Sequence, residues 1–204
     1  MKRKGLLIVV SGPSGAGKGT VLSLVLQKEV GLEYSVSVTT RAPREGEVDG
    51  VNYFFKTRQE YDEMLRNNEF LETQQVYDNF YGTPKAYVEK LRNEGIDVLL
   101  EIDTKGANQV RENVEDALLI FLAPPSIDVL RSRLTGRATE TAEQLKIRTE
   151  SSIRELHEID KYQYVVINDD KEVCADAIVD IIRAERHKVA NSAEFIQKLL
   201  KGDK

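Results

Sequence analysis

Gly12-Pro13-Ser14-Gly15-Ala16-Gly17-Lys18-Gly19-Thr20 is the segment whose residue types and spacing are best suited to chemistry. Glycines let the backbone wrap an anion with successive N–H groups turned inward. A helix opening at the loop's end adds positive potential, and Lys18 can reach the outer phosphates of a nucleotide. The motif departs from the usual pattern once: the hydroxyl residue that follows the lysine in such loops and holds magnesium is Gly19 here, and Thr20 stands one position late. Magnesium would then be held by phosphate oxygens and water with no protein ligand, or by Thr20 through a loop shifted by one residue. In a second constellation, at 37–53, Arg41 and Arg44 stand three apart in a turn-rich stretch that ends in Tyr53. Two guanidiniums and a phenol can surround a phosphate monoester. Other chemistries lack their residues. The single cysteine, Cys174, lies in an apolar helical run and reads as a buried inert thiol. His157 and His187, among charged residues, give neither a metal cage nor a Ser-His-Asp triad.

A phosphate loop needs a buried strand before it and a helix after it. Continuous apolar runs at 6–10, 98–102, 118–122 and 164–167 predict strands covered on both faces. Helical patterns at 20–29, 104–112, 127–134, 142–160 and 173–188 alternate with them; Ser126 is placed to cap one, and Thr141 with Gln144 forms a capping box. The fold class is therefore α/β, a parallel sheet flanked by helices. Residues 35–95 break the alternation. There Tyr53-Phe54-Phe55 precedes a capping box at Thr57 and Glu60, a strand pair is expected at 70–83 around Asp78-Asn79, and Thr83-Pro84 should start a helix, with Pro at its first position, that Gly95 ends. The chain thus divides into a core (1–34, 96–133 and 152–204), a substrate-binding insert (35–95) and a second, helical insert (134–151), in which Gly136-Arg137 separates two helices. The tail at 191–204 predicts a short helix without chemistry. With 204 residues, 41% hydrophobic and 31% charged, the composition is that of a soluble folded protein. The 29 basic residues against 34 acidic ones argue against a duplex nucleic-acid binder, so basic sites must be local. The basic and apolar start is too short for a signal peptide and no later run approaches a membrane span, which predicts a cytoplasmic protein.

Beyond the two constellations stand Phe70-Leu71-Glu72, Asn79-Phe80-Tyr81-Gly82-Thr83, Glu101-Ile102-Asp103, Phe121-Leu122-Ala123-Pro124-Pro125, Gly136-Arg137-Ala138-Thr139-Glu140-Thr141 and Ile167-Asn168-Asp169-Asp170. With these, the chain from Gly5 to Arg186 closely resembles guanylate kinases, P-loop nucleoside monophosphate kinases that make GDP from GMP and ATP. The resemblance implies that the insert binds GMP: Arg41, Arg44, Tyr53 and Tyr81 on its phosphate, and Ser37, Glu72, Thr83 and Asp103 around guanine. Guanine's N1–H and exocyclic amine are adjacent donors that suit one carboxylate, and its O6 and N7 suit hydroxyls. It also implies that residues 12–20 hold the ATP phosphates, that Asn168 lies near adenine, and that Arg133, Arg137 and Arg148 close over the transferring group. Lys18, Arg41, Arg137 and Arg148 are thereby the expected catalytic residues, and Glu101 is expected to order hydrated magnesium or Lys18. Ala138 departs from the family, which has a second glycine there. ATP and Mg²⁺ are the implied cofactors and GMP the acceptor, with dGMP left open. Non-catalytic modules of this fold, which bind phosphorylated partners, lose the phosphate loop kept here; the guanine-reading Asn-Lys-x-Asp segment of GTPases is missing.

Overall fold

The computed structural model describes residues 3–76, 78–135 and 142–201. In chain order the elements are β1 (Leu7–Ser11), α1 (Lys18–Lys28), β2 (Leu32–Tyr34), β3 (Val38–Thr39), β4 (Phe54–Phe55), α2 (Arg58–Arg66), β5 (Phe70–Val76), β6 (Asn79–Pro84) and α3 (Lys85–Asn93). There follow β7 (Asp97–Glu101), α4 (Thr104–Asn113), β8 (Ala117–Ala123), α5 (Ile127–Thr135), α6 (Ala142–Leu156), β9 (Tyr164–Ile167), α7 (Lys171–Arg186) and α8 (Ala193–Lys201).

The apolar runs become the main sheet, in the order β2-β7-β1-β8-β9 with every pairing parallel. Side chains alternate across it. Ile8, Val10, Ile120 and Leu122 pack against Val21 and Val25 of α1 and Ile178 and Ile182 of α7, while Leu7, Val9, Leu100 and Leu119 face Val88 of α3 and Val110 of α4. Both faces of the central strands are thus covered, which is why β1 and β8 carry no polar alternation and are buried along their whole length; β9, at the sheet edge, instead leaves Val165 and Ile167 exposed, unlike the two-faced burial expected at 164–167. Parallel strands end at one edge, so the segments after β1, β7 and β9 converge there, the usual place for a ligand in such sheets. At the opposite end of β7, Asp97 is fully buried; it accepts hydrogen bonds from Arg3 (2.6 and 2.8 Å), from Arg186 Nε (2.7 Å) and from the Leu6 N–H (2.7 Å).

A second sheet, β4-β3-β6-β5, lies within the stretch that broke the alternation. The expected strand pair is its β5/β6 hairpin, covered by Tyr61 of α2, whose ring stacks on Phe70 at 4.9 Å. The Thr57–Glu60 capping box is formed: Thr57 Oγ1 accepts from the Glu60 N–H (3.2 Å) and Glu60 from the Thr57 N–H (2.7 Å). Ser126 likewise accepts from the Val129 N–H at 3.2 Å.

Some boundaries differ. Pro84 is still paired with Phe70 and extended (φ −73°, ψ 124°), so it precedes α3 as its cap rather than filling its first position. α6 stops at Leu156, short of 160, because His157 and Glu158 donate to carbonyls three residues back and tighten the turn. α7 begins at Lys171, earlier than 173, because Asp170 caps the Glu172 and Val173 N–H groups at 2.8 and 3.0 Å. The capping box at Thr141 falls outside the described residues. Cys174 is buried among apolar side chains, and burial pushes its thiol up to about 11, as expected of an inert cysteine. Both histidines are exposed. Among the described residues no helix is long and apolar enough to cross a membrane.

Candidate active site

β1 delivers the chain to Gly12, whose φ is 151° and where a Cβ would stand 2.2 Å from the Leu122 carbonyl oxygen; only glycine fits. The loop tightens through an Ala16 N–H to Pro13 carbonyl bond (3.1 Å) and enters α1 at Gly17, in the left-handed region at φ 90°. Among the described residues no side chain caps α1, which leaves its first-turn N–H groups for an anion. Lys18 Nζ donates to the carbonyls of Gly12 (2.6 Å) and Pro13 (3.3 Å). Burial lowers its pKa, against the pull of Glu101, Glu155 and Asp103.

The loop is braced from two sides. Asn168 Nδ2 donates to the Ala16 carbonyl at 2.7 Å, and Arg133 donates to the carbonyls of Asn168 (3.0 Å) and Ala16 (3.4 Å). From α6, Glu155 accepts from the Ser14 N–H (3.1 Å), Ser152 donates to the Ser14 carbonyl (3.3 Å) and Arg148 to Ser14 Oγ (3.2 Å). Ser14, Gly15 and 17–20 line a cleft of about 780 Å³ together with Glu101, Arg133 and Asn168; Gly12, Pro13 and Ala16 are buried beneath it. Arg137 lies outside the described residues.

The second constellation gathers around Glu47, a residue the sequence reading passed over. Arg41 forks its carboxylate with two bonds of 2.9 Å, and the Arg44 N–H donates to it at 2.7 Å while the Arg44 side chain is exposed. The Arg41 guanidinium lies 5.4 Å from the Tyr53 ring centre, and Tyr53 meets Tyr81 edge-on at 6.0 Å. Arg41, Tyr53 and Tyr81 therefore form one cluster, which Arg44 joins by its backbone.

A third group centres on a buried carboxylate. Glu72 is 5% exposed, accepts from the Thr83 hydroxyl at 2.7 Å, and has room because Gly106 carries no side chain; a Cβ there would be 3.1 Å from Glu72 Oε2. Burial pushes the Glu72 carboxyl up to about 7; the Thr83 bonds oppose this and the charge of Asp103 adds to it. Asp103 caps α4, accepting from the Gly106 N–H at 2.8 Å and from the Gln74 amide. Ser37, Tyr53 and Thr83 line a cavity of about 90 Å³ with Tyr34, Ser35 and Glu101. Glu101 thus lines both cavities. It accepts from the Tyr34 hydroxyl at 2.9 Å, and a Cβ on Gly19 would be 3.8 Å from either of its oxygens. An anion cleft with a helix N-terminus and a lysine therefore shares Glu101 with a small polar cavity, and Thr83 of that cavity is bonded to Glu72, an acceptor suited to a base with adjacent donors.

A family model described as guanylate kinase matches residues 4–185. The chain is 48% identical over 199 residues to a guanylate kinase of Caldanaerobacter subterraneus subsp. tengcongensis, covering 98% of this chain and 97% of that one. It is 48% identical over 201 residues to a guanylate kinase of Bacillus subtilis, covering 98% of each. Among solved structures it resembles guanylate kinase from Anaplasma phagocytophilum, with a TM-score of 0.74 and 34% identity over 97% of this chain and 95% of that one.

Proposed function

The chain belongs to the guanylate kinase family and phosphorylates GMP to GDP with ATP as donor; from that premise we infer which of its residues do so. The reading rests on one observation above others: the phosphate cleft and the small cavity lined by Ser37, Tyr53 and Thr83 share Glu101, and Thr83 hydrogen-bonds Glu72, so a donor phosphate chain and an acceptor nucleotide bound there would be neighbours. On this reading the loop amides of 12–20 and Lys18 hold the ATP phosphates. Arg41, Arg44, Tyr53 and Tyr81 take the GMP phosphate; Glu72, with Ser37, Thr83 and Asp103, takes guanine. Asn168 supports the adenine end chiefly by bracing the loop through Ala16. The division into core, GMP-binding insert at 35–95 and lid at 134–151 belongs to the same proposal, as does a cytoplasmic site of action.

A GMP phosphate oxygen bonds to the γ-phosphorus while the bond from that phosphorus to the β–γ bridging oxygen breaks, and ADP leaves. The attacking oxygen is already anionic, so no residue need be a strong base. What the protein must supply is alignment and positive charge on the equatorial oxygens, the work assigned to Lys18, Arg41, Arg133, Arg137 and Arg148. Glu47 holds the Arg41 fork in place before substrate arrives. Magnesium fits the residues present in one way. Among the described residues no group of three or more His, Cys, Asp or Glu is placed to cage an ion, whereas Glu101 turns a carboxylate toward Gly19 and the opening of α1. Such a site suits an ion held by phosphate oxygens and its own waters, with Glu101 accepting from those waters. When bound, magnesium would supply positive charge that neutralises the phosphate oxygens.

A coupled assay of ADP formation with GMP, AMP, UMP and CMP tests the reading. GMP should be preferred by two orders of magnitude or more, roughly the discrimination that unpaired buried polar groups impose. Comparable turnover of AMP would overturn the assignment of Glu72.

A further inference from the structure

We propose that Tyr34 is a positioning residue for phosphoryl transfer: its hydroxyl fixes the Glu101 carboxylate between the two substrate cavities and aims it at the opening of α1. The proposal rests on the reading of Glu101 as the acceptor for magnesium-bound water. Tyr34 ends β2, the short edge strand of the main sheet, in register with Leu99 of β7, so its side chain stands beside the strand end from which Glu101 projects. Tyr34 is 42% exposed as a residue, yet its hydroxyl donates to Glu101 Oε2 at 2.9 Å. Among the described residues no other group hydrogen-bonds this carboxylate. A glutamate at a strand end is long enough to swing among several rotamers, and ordering it needs a partner. Gly19, toward which the carboxylate turns, provides none, since even a Cβ there would remain 3.8 Å from either oxygen. The phenol therefore holds the acid from one side and leaves its other face open toward the loop. Tyr34 also lines the smaller cavity with Ser37, Tyr53 and Thr83, so a single side chain joins the pocket assigned to GMP to the acid assigned to magnesium. Phenylalanine would cover the sheet edge equally well; only the hydroxyl serves Glu101.

The test uses the full chain with ADP bound and Mn²⁺ as a paramagnetic stand-in for Mg²⁺, titrated by electron paramagnetic resonance in the native protein, Tyr34→Phe, Glu101→Gln and the double variant. Tyr34→Phe should weaken Mn²⁺ binding to the ADP complex about five- to tenfold, and Glu101→Gln by at least as much. The double variant should be no weaker than Glu101→Gln. Metal-free ADP affinity and melting temperature should stay unchanged in Tyr34→Phe, and the magnesium concentration for half-maximal activity should rise by the same factor as the Mn²⁺ constant. Native Mn²⁺ affinity in Tyr34→Phe beside a weakened Glu101→Gln would overturn the proposal and leave Tyr34 as a cover for the sheet edge. An unchanged Glu101→Gln would overturn the reading of Glu101 and the proposal with it. Additive losses in the double variant would show that Tyr34 acts through something else, and would also reject it.

Discussion

Glu72→Gln separates the use of a buried carboxylate from its cost. Glu72 is 5% exposed, and its carboxyl is pushed from an ordinary 4.5 up to about 7. That difference corresponds to roughly 3 kcal/mol held against folding when the group is ionised. A carboxyl that holds its proton longer in the folded chain contributes most to stability below the unfolded pKa. The contribution declines as pH rises from 4.5 to about 7, and above 7 the cost is complete. The amide is neutral at every pH, keeps an oxygen for the Thr83 hydroxyl now bonded at 2.7 Å, and fits the space over Gly106. Relative to the native protein, Glu72→Gln should therefore gain stability between pH 4.5 and pH 8, by an amount approaching but not exceeding about 3 kcal/mol. Its affinity for GMP should fall about a hundredfold, because the amide NH₂ faces one of guanine's two donors, a buried mismatch of about 3 kcal/mol. ATP binding should not change. Urea denaturation at the two pH values and GMP titration by calorimetry give both numbers on one preparation. A second consequence is that native GMP affinity should weaken below pH 7 more steeply than that of Glu72→Gln, in which only the nucleotide phosphate still titrates. Native GMP affinity in the variant, or a stability difference that does not change with pH, would refute the reasoning.

Three further outcomes follow. Lys18→Ala should fold normally and lose a hundredfold or more in kcat, since about 3 kcal/mol of charge stabilisation disappears from the transition state; a steady-state assay beside a melting curve checks both statements. Thr20→Ala should change the magnesium dependence of activity only slightly while Glu101→Ala raises the half-maximal concentration several-fold; a large effect of Thr20→Ala with none from Glu101→Ala would support the shifted loop. Asp97→Ala should destabilise the fold by about 3 kcal/mol or more, because Arg3, Arg186 and the Leu6 N–H lose their shared buried acceptor. Chemical denaturation measures this loss, and GMP and ATP affinities at low temperature should stay native.

The elements legible in the sequence were those whose patterns are set locally or by burial on two faces. Leu7–Ser11 and Ala117–Ala123 could be read because a central parallel strand meets helices above and below and so loses its polar positions. Leu32–Tyr34 could not: it is an edge strand with one buried and two exposed residues. Val38–Thr39 and Phe54–Phe55 are two residues each and exist only through their partners in the sheet. The site divides in the same way. The phosphate loop announces itself because its glycines answer a local need, seen in the 2.2 Å approach at Gly12. Tyr34, Glu47, Ser152 and Glu155 carry no motif. Glu155 lies far along the chain from the Ser14 amide it accepts from, and nothing in the residues around 155 records that meeting. Glu47 was the nearest to legible, lying three residues after Arg44 and six after Arg41 in one turn-rich segment.

These overlooked carboxylates bear on how a chain of net charge −5 handles two anionic substrates. A site built only of cations would attract nucleotides strongly, but long arginine and lysine side chains would be mobile in it and equally suited to many phosphate positions. Here Glu47 forks Arg41, Glu155 and Ser152 hold Ser14 against α6, and Lys18 is held by the Gly12 and Pro13 carbonyls within the field of Glu101, Glu155 and Asp103. Each acid weakens ground-state attraction for phosphate and, in exchange, limits where positive charge can stand. The transition state of phosphoryl transfer places its charge on equatorial oxygens whose positions are fixed by the in-line geometry. Cations already held in place need no reorganisation as that charge develops, whereas mobile ones would have to be ordered during the reaction. On the proposed assignment the acids would favour rate over affinity, since interactions realised only in the transition state raise kcat whereas uniform binding does not.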